Sequence, residues 1–174
     1  MQMPKRKPNR LQTCNYSSAG AYFITICTAN HEWLLWRTGE RYTRLRETDD
    51  IPLSEYGTVV NDAIRAIPSK YAGVRVDYYV VMPNHIHLII VIQEADGRAM
   101  RAPTIPTIIN QMKGYVTKQI GFSIWQKLYY DHIIRNHDEY EKITKYIIEN
   151  PVKWQDDCYC ISQNIRKPPI PTIP

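Results

Sequence analysis

The sequence has no Cys-x-x-Cys pair, the spacing that most structural zinc sites use. Its four cysteines are Cys14, Cys27, Cys158 and Cys160, and the last two are too close for an easy mutual disulfide. We therefore expect reduced thiols in a cytosolic protein. A structural zinc protein that uses cysteines and histidines is an alternative with poor ligand spacing.

Long hydrophobic runs are also missing. No stretch approaches the roughly 20 apolar residues that a membrane-spanning helix needs. The basic residues near the N-terminus (Lys5, Arg6, Lys7 and Arg10) are not followed by the apolar segment of a signal peptide. The sequence thus predicts a soluble, cytoplasmic protein without membrane contact.

Basic and aromatic residues are plentiful. The net charge is +5, and there are 13 tyrosines and four tryptophans. This balance favours an anionic partner, nucleic acid first, and aromatic rings either stack on unpaired bases or fill a mixed core. The length of 174 residues predicts a single domain with a basic arm over about residues 1–20 and a proline-rich tail over about residues 160–174.

Hydrophobic periodicity predicts an α+β fold. Residues 22–28 read as a strand and residues 74–92 as a β-hairpin. Three helices are expected: one with Pro52 in its first turn and ended by Pro68, one over 107–120, and one from a capping box at Asn136 and Glu139 to Asn150. The remaining stretches are read as a charged loop or short hairpin (31–50), a loop (94–106) and an irregular segment (121–135). This order favours a ferredoxin-like antiparallel sheet packed with helices.

Two histidines open the second strand of the predicted hairpin. Strand side chains alternate, so His85 and His87 share one face. Such a pair can bind one divalent cation or contact one phosphate, or it can be two ordinary hydrogen-bonded histidines. The strand is apolar on both faces, which places the histidines at the rim of the core.

The third helix offers complementary chemistry. Tyr146 and Asn150 are four residues apart and lie on one helix face. The amide oxygen of Asn150 suits Mg²⁺ or Mn²⁺, and the phenol of Tyr146 can attack phosphorus. Alternatively, Tyr146 is half-buried core and Asn150 caps the helix before Pro151. Rival nucleophiles are Tyr115, Tyr129 and Tyr130.

Four stretches in the same order carry a family resemblance. Met82 to Leu88 resembles the His-hydrophobic-His motif of single-strand DNA transposases with one catalytic tyrosine, the IS200-like HUH family. The chain is similar to their relatives, the REP-associated tyrosine transposases. The other matching stretches are residues 20–28, residues 125–136, and residues 146–154 with Asn150-Pro151.

The resemblance implies a ferredoxin-like HUH nuclease fold. It implies Mg²⁺ or Mn²⁺ held by His85, His87 and, less directly, Asn150, with Tyr146 as the nucleophile. The implied reaction cleaves and rejoins single-stranded hairpin DNA of the REP type, leaving a 5′-phosphotyrosine and a free 3′-hydroxyl. It also implies a nucleoid-associated protein that works as a monomer or as a homodimer with exchanged tyrosine helices.

Arg135, Lys113 and Lys118 are the expected phosphate contacts, although solvated charges are an equal alternative for the lysines. Trp125 either stacks on a base or fills the core. Two further functional hypotheses remain open: a nucleic-acid-binding module of ferredoxin-like fold without catalysis, and a metal-dependent phosphodiesterase that uses water, with Tyr146 structural.

Overall fold

The computed structural model describes residues 19–37, 50–93 and 103–156. The predicted N-terminal arm, apart from its last two residues, lies outside the described residues. So do the proline-rich tail and most of the predicted loops over 31–50 and 94–106.

A four-stranded antiparallel sheet forms the centre of the molecule. Its strands are β1 (Gly20–Cys27), β2 (Val74–Val81), β3 (His85–Ile92) and β4 (Tyr130–Ile134), in the spatial order β2-β3-β1-β4. The order places β3 and β1 inside the sheet, and seven of the eight residues of β3 are buried. A strand that is apolar on both faces needs this central position, as the sequence predicted.

Within the described ranges, four helices accompany the sheet: α1 (Glu55–Arg65), α2 (Ile67–Lys70), α3 (Ile105–Ile120) and α4 (His137–Glu149). Side chains cap three of them, because the oxygens of Ser54, Thr104 and Asn136 accept hydrogen bonds from the backbone N–H groups of the first turns. Short 3-10 turns lie at Ala29–His31 and Trp154–Asp156. No helix of the described residues is long and apolar enough to cross a membrane.

The two faces of the sheet are covered differently. Tyr79 of β2 donates a hydrogen bond to Asn61 of α1, which in turn packs against α3. The neighbouring Val80 points to the opposite face, where α4 packs against β2 and β3. The order β1-α1-β2-β3-α3-β4, with antiparallel neighbours throughout, confirms the predicted α+β, ferredoxin-like fold.

Three details of the sequence prediction were wrong. The segment 121–135 is not irregular throughout, because it contains β4, which pairs with β1. Pro52 precedes the first helix, whose cap is Ser54. Pro68 does not end helical structure but lies in the first turn of α2, where its missing N–H costs nothing.

Gly57 marks the closest approach between α1 and the segment that follows β1. A Cβ atom at this position would overlap the backbone carbonyl oxygen of Leu35 and press against Leu53. Because Gly57 has no side chain, α1 packs directly against Leu35. The backbone oxygen of Leu35 also accepts a hydrogen bond from the backbone N–H of Ser54.

The substitution Gly57→Ala should lower the free energy of unfolding by about 1–3 kcal/mol, because backbone atoms have to move to admit the methyl group. The matched control is Gly114→Ala in α3, where a Cβ atom meets nothing within 4 Å. That control should raise stability by about 0.5–1 kcal/mol through helix propensity. Urea unfolding measures the free energy of unfolding of both variants. Equal changes in the two variants would contradict the close packing of Gly57 against Leu35.

Candidate active site

The two histidines of β3 face each other inside the core. The Nε2 atoms of His85 and His87 are 2.9 Å apart, and both side chains are fully buried. They lie on one face because they are two residues apart in a strand, with the hydrogen-bonded ladder to β1 fixing their direction. Both imidazoles therefore present a nitrogen to the same point.

The outer nitrogen of each ring is held by an oxygen. His85 Nδ1 lies 2.8 Å from Asn84 Oδ1, and His87 Nδ1 lies 2.8 Å from Thr25 Oγ1 of the neighbouring strand β1. Metal-binding histidines usually have such a partner on the second ring nitrogen, which fixes ring orientation. The arrangement leaves the Nε2 atoms to face a shared ligand.

Burial keeps both rings neutral. It lowers the pKa of His87 to about 3, because a charged imidazolium loses its hydration in the core. Burial also lowers the pKa of His85 well below its ordinary value, and the neighbouring His87 and His31 rings lower it further. At neutral pH each ring thus has one nitrogen lone pair, which is what metal ligation requires.

Helix α4 brings Tyr146 to the pair. The Tyr146 hydroxyl oxygen lies 3.2 Å from His87 Nε2, and its ring also packs edge-on against Phe23. The helix is oriented by its buried residues Ile143 and Ile147 and begins at the Asn136 cap. A phenol, two imidazoles and their supporting oxygens therefore meet in one place.

Asn150 directly follows α4, one turn beyond Tyr146, and its side chain is buried. In the described part of the chain, no three or more His, Cys, Asp or Glu side chains gather as a metal site. Among the described residues, a third protein ligand beside the two histidines would thus have to be of another residue type, such as the amide of Asn150.

The donor set fits a small divalent cation. Two ligands at a right angle, each about 2.1 Å from an octahedral cation, are about 3 Å apart. The 2.9 Å separation of the two Nε2 atoms matches this spacing. Neutral imidazoles with supported outer nitrogens add the required charge state and orientation.

Trp154 covers the histidine pair from the side of His85. Its ring centre lies 5.9 Å from that of His85, and only 3% of the residue is exposed. The indole rings of Trp33 and Trp36 pack against it in turn. Trp154 thus lies against one imidazole, and Tyr146 lies against the other.

The expected phosphate contacts lie on different elements of the fold. Arg135 is exposed between β4 and α4, and Lys118 is exposed on α3. Lys113 is half-buried, and its ammonium donates to the backbone oxygens of Gln126 and Lys127. Trp125 is buried, so it has the surroundings of a core residue.

The three rival tyrosines occupy other environments. The Tyr115 ring lies beneath the ammonium of Lys70. Tyr129 is half-buried just before β4. Tyr130 is half-buried with its ring edge-on to Phe23, and burial raises its pKa.

Three supporting residues escaped the sequence analysis. Thr25 was hidden because its role depends on the pairing of β1 with β3, in which it lies opposite His87. Asn84 lies between the two strands of the hairpin, a position typical of a turn residue, although its side chain supports His85. Trp154 belongs to a stretch that carried the family resemblance, but nothing in its spacing links it to His85.

Comparison with known proteins finds similar sequences in two bacteria. The chain is 35% identical over 172 residues to an uncharacterized protein of Haemophilus influenzae, covering 87% of this chain and 91% of that protein. It is 32% identical over 79 residues to a REP-associated tyrosine transposase of Escherichia coli, covering 45% of this chain and 44% of the transposase. No family model matches the sequence.

The fold is similar to that of a solved REP-associated tyrosine transposase bound to a REP hairpin. The TM-score is 0.57 at 23% identity, covering 88% of this chain and 74% of that one. The chain therefore belongs to one family with the Haemophilus influenzae protein, and its resemblance to the REP-associated tyrosine transposases is confirmed.

Proposed function

We propose that this protein is a metal-dependent enzyme that cleaves and rejoins single-stranded DNA through a phosphotyrosine on Tyr146. The observation that supports this most directly is the 3.2 Å distance from the Tyr146 hydroxyl to His87 Nε2, which itself faces His85. A nucleophile and two neutral metal-type donors thus converge on one point.

The distribution of buried polar residues supports a functional role for this point. In the described part of the chain, the buried polar or charged side chains number six: Thr25, Thr28, Asn84, His85, His87 and Asn150. The first five are joined by hydrogen bonds in or beside the histidine pair. Buried polar groups reduce stability unless they are paired, so their concentration at one place favours function over packing.

In the proposed reaction, His85 and His87 hold Mg²⁺ or Mn²⁺, with Asn150 as a third ligand. When bound, the cation would polarise the scissile phosphate and help the phenol lose its proton. The Tyr146 oxygen forms a bond to phosphorus and the bond to the 3′ oxygen breaks. The phenolic proton is released, and a proton completes the 3′-hydroxyl. In rejoining, a 3′-hydroxyl attacks the 5′-phosphotyrosine and the Tyr146 oxygen leaves.

The proposed substrate is hairpin DNA with a single-stranded flank, because the solved relative is bound to a REP hairpin. The net charge of +5 favours an anionic partner. Arg135 and Lys118 are exposed and are proposed to contact phosphates, whereas Lys113 has to release two backbone oxygens to do so. The proposed place of action is the nucleoid in the cytoplasm.

The site is proposed to act within one chain. Tyr146 reaches the histidines of its own chain, so exchange of α4 between two copies is not needed to assemble the pair with its phenol. A monomer is therefore sufficient for the proposed chemistry.

Replacing Tyr146 with Phe should reduce the covalent protein–DNA adduct by roughly 1,000-fold or more, while binding of the hairpin stays intact. Denaturing gels after incubation with hairpin DNA and Mn²⁺ measure the adduct. Tyr140→Phe is the matched control, since Tyr140 lies on the same helix but donates to Asp77. Cleavage that survives Tyr146→Phe would indicate attack by water or by another tyrosine. Binding without cleavage by the unmodified protein would indicate a non-catalytic module.

Replacing His87 with Ala should weaken Mn²⁺ binding by at least about 100-fold, because loss of a ligand exceeds the 10–100-fold effect of losing a supporting partner. Electron paramagnetic resonance of free Mn²⁺ measures the affinity without DNA. His132→Ala is the control. The ring of His132 on β4 is hydrogen-bonded to Glu139 on α4 and is not part of the histidine pair. Unchanged binding in His87→Ala would remove the metal site from the proposal.

A mixture of Tyr146→Phe and His87→Ala proteins should remain inactive, because each chain lacks one part of its own site. If α4 exchanges between copies, about half of the dimers in an equal mixture contain both variants, each of these has one complete site, and the adduct returns. Adduct formation by the mixture, compared with each variant alone, measures this, and recovered activity would contradict action within one chain.

A further inference from the structure

The side chain of Asn84 bridges a histidine ring and a backbone carbonyl. Its Oδ1 lies 2.8 Å from His85 Nδ1, and its Nδ2 donates to the backbone oxygen of His31 at 3.3 Å. Asn84 is fully buried. Both ends of the amide therefore have fixed neighbours.

These neighbours determine the orientation of the amide. A carbonyl oxygen only accepts hydrogen bonds, so the NH₂ group of Asn84 has to face His31. The amide oxygen then has to face His85, and because it only accepts, His85 Nδ1 carries the hydrogen. The lone pair of His85 is consequently on Nε2, the atom that faces His87.

The turn that follows β1 holds the His31 carbonyl in place. Asn30 and His31 both adopt left-handed backbone conformations, with φ of 53° and 55°, which non-glycine residues rarely do. The hydroxyl of Thr28 contacts the backbone oxygens of both Glu32 and Asn84, at 2.8 and 3.0 Å. Thr28 therefore ties the turn and the histidine-bearing hairpin together, and the unusual backbone of the turn aims its carbonyl at Asn84.

We propose that Asn84, held by the His31 carbonyl, is a positioning residue that fixes His85 in the tautomer with its proton on Nδ1. This deepens the proposed function, because it keeps the Nε2 lone pair ready for the cation. The assignment itself concerns the metal-free protein and is testable without any activity.

Nitrogen-15 NMR of the imidazole rings in the metal-free protein distinguishes a protonated ring nitrogen from one with a lone pair. The unmodified protein should show His85 protonated on Nδ1 and unprotonated on Nε2. A His85 ring protonated on Nε2 would overturn the proposal before any variant is made.

Two variants test the role of the side chain. Asn84→Leu keeps similar volume but removes the acceptor, so His85 should populate a mixture of tautomers and Mn²⁺ affinity should fall 10–100-fold. Asn84→Asp keeps an oxygen facing His85, so it should retain the tautomer and lose less affinity. Asn61→Leu is the control. It removes the acceptor on α1 for the Tyr79 hydroxyl, and it should change neither the His85 tautomer nor the Mn²⁺ affinity.

The outcomes separate this proposal from the function it rests on. If Asn84→Leu alters stability but leaves the tautomer unchanged, Asn84 is merely structural and the proposal is wrong. If the Nδ1 tautomer depends on Asn84 but the unmodified protein binds no Mn²⁺ and forms no adduct, the positioning role is correct and the proposed function fails. If Asn84→Leu does not fold, the spectra of the unmodified protein and of Asn84→Asp decide, because a His85 ring protonated on Nε2 in either protein would overturn the proposal.

Discussion

Two neutral imidazoles facing each other inside a sheet core are the constraint on which the rest of the site depends. Removing polar rings from water is unfavourable unless their hydrogen-bonding atoms are paired. Thr25 from β1 and Asn84 from the hairpin turn supply oxygens for the outer nitrogens. The two Nε2 atoms then face one another. Two potential metal ligands are thus brought to one point of an otherwise apolar strand.

Much of this arrangement follows from the sequence. The period-2 pattern places His85 and His87 on one face, and the apolar residues between and beyond them require a central strand. The capping residue Asn136 and the buried Ile143 and Ile147 fix the start and the inward face of α4. Those two facts alone, however, do not say that the helix lies over the histidines. The family resemblance supplied that link, and the contact between Tyr146 and His87 agrees with it.

Other parts depend on tertiary structure and were missed. β4 contains Asp131 and His132 among its aromatic and branched residues, so its pattern is broken, and it becomes a strand because β1 offers a free edge. The support from Asn84 depends on a carbonyl 53 residues earlier in the chain. Neither local propensity nor spacing carries information about such a contact, which explains why a turn residue concealed a role at the site.

The position of Trp154 has a consequence for how a polymer enters. Tyr146 touches one imidazole and Trp154 lies against the other, and both belong to the same short stretch around Pro151. Both histidines are fully buried, so in the proposed reaction a DNA strand reaches them only when part of this stretch moves, and the same stretch carries the proposed nucleophile. In the proposed reaction, entry of the strand and placement of the Tyr146 phenol therefore depend on the same segment of the chain.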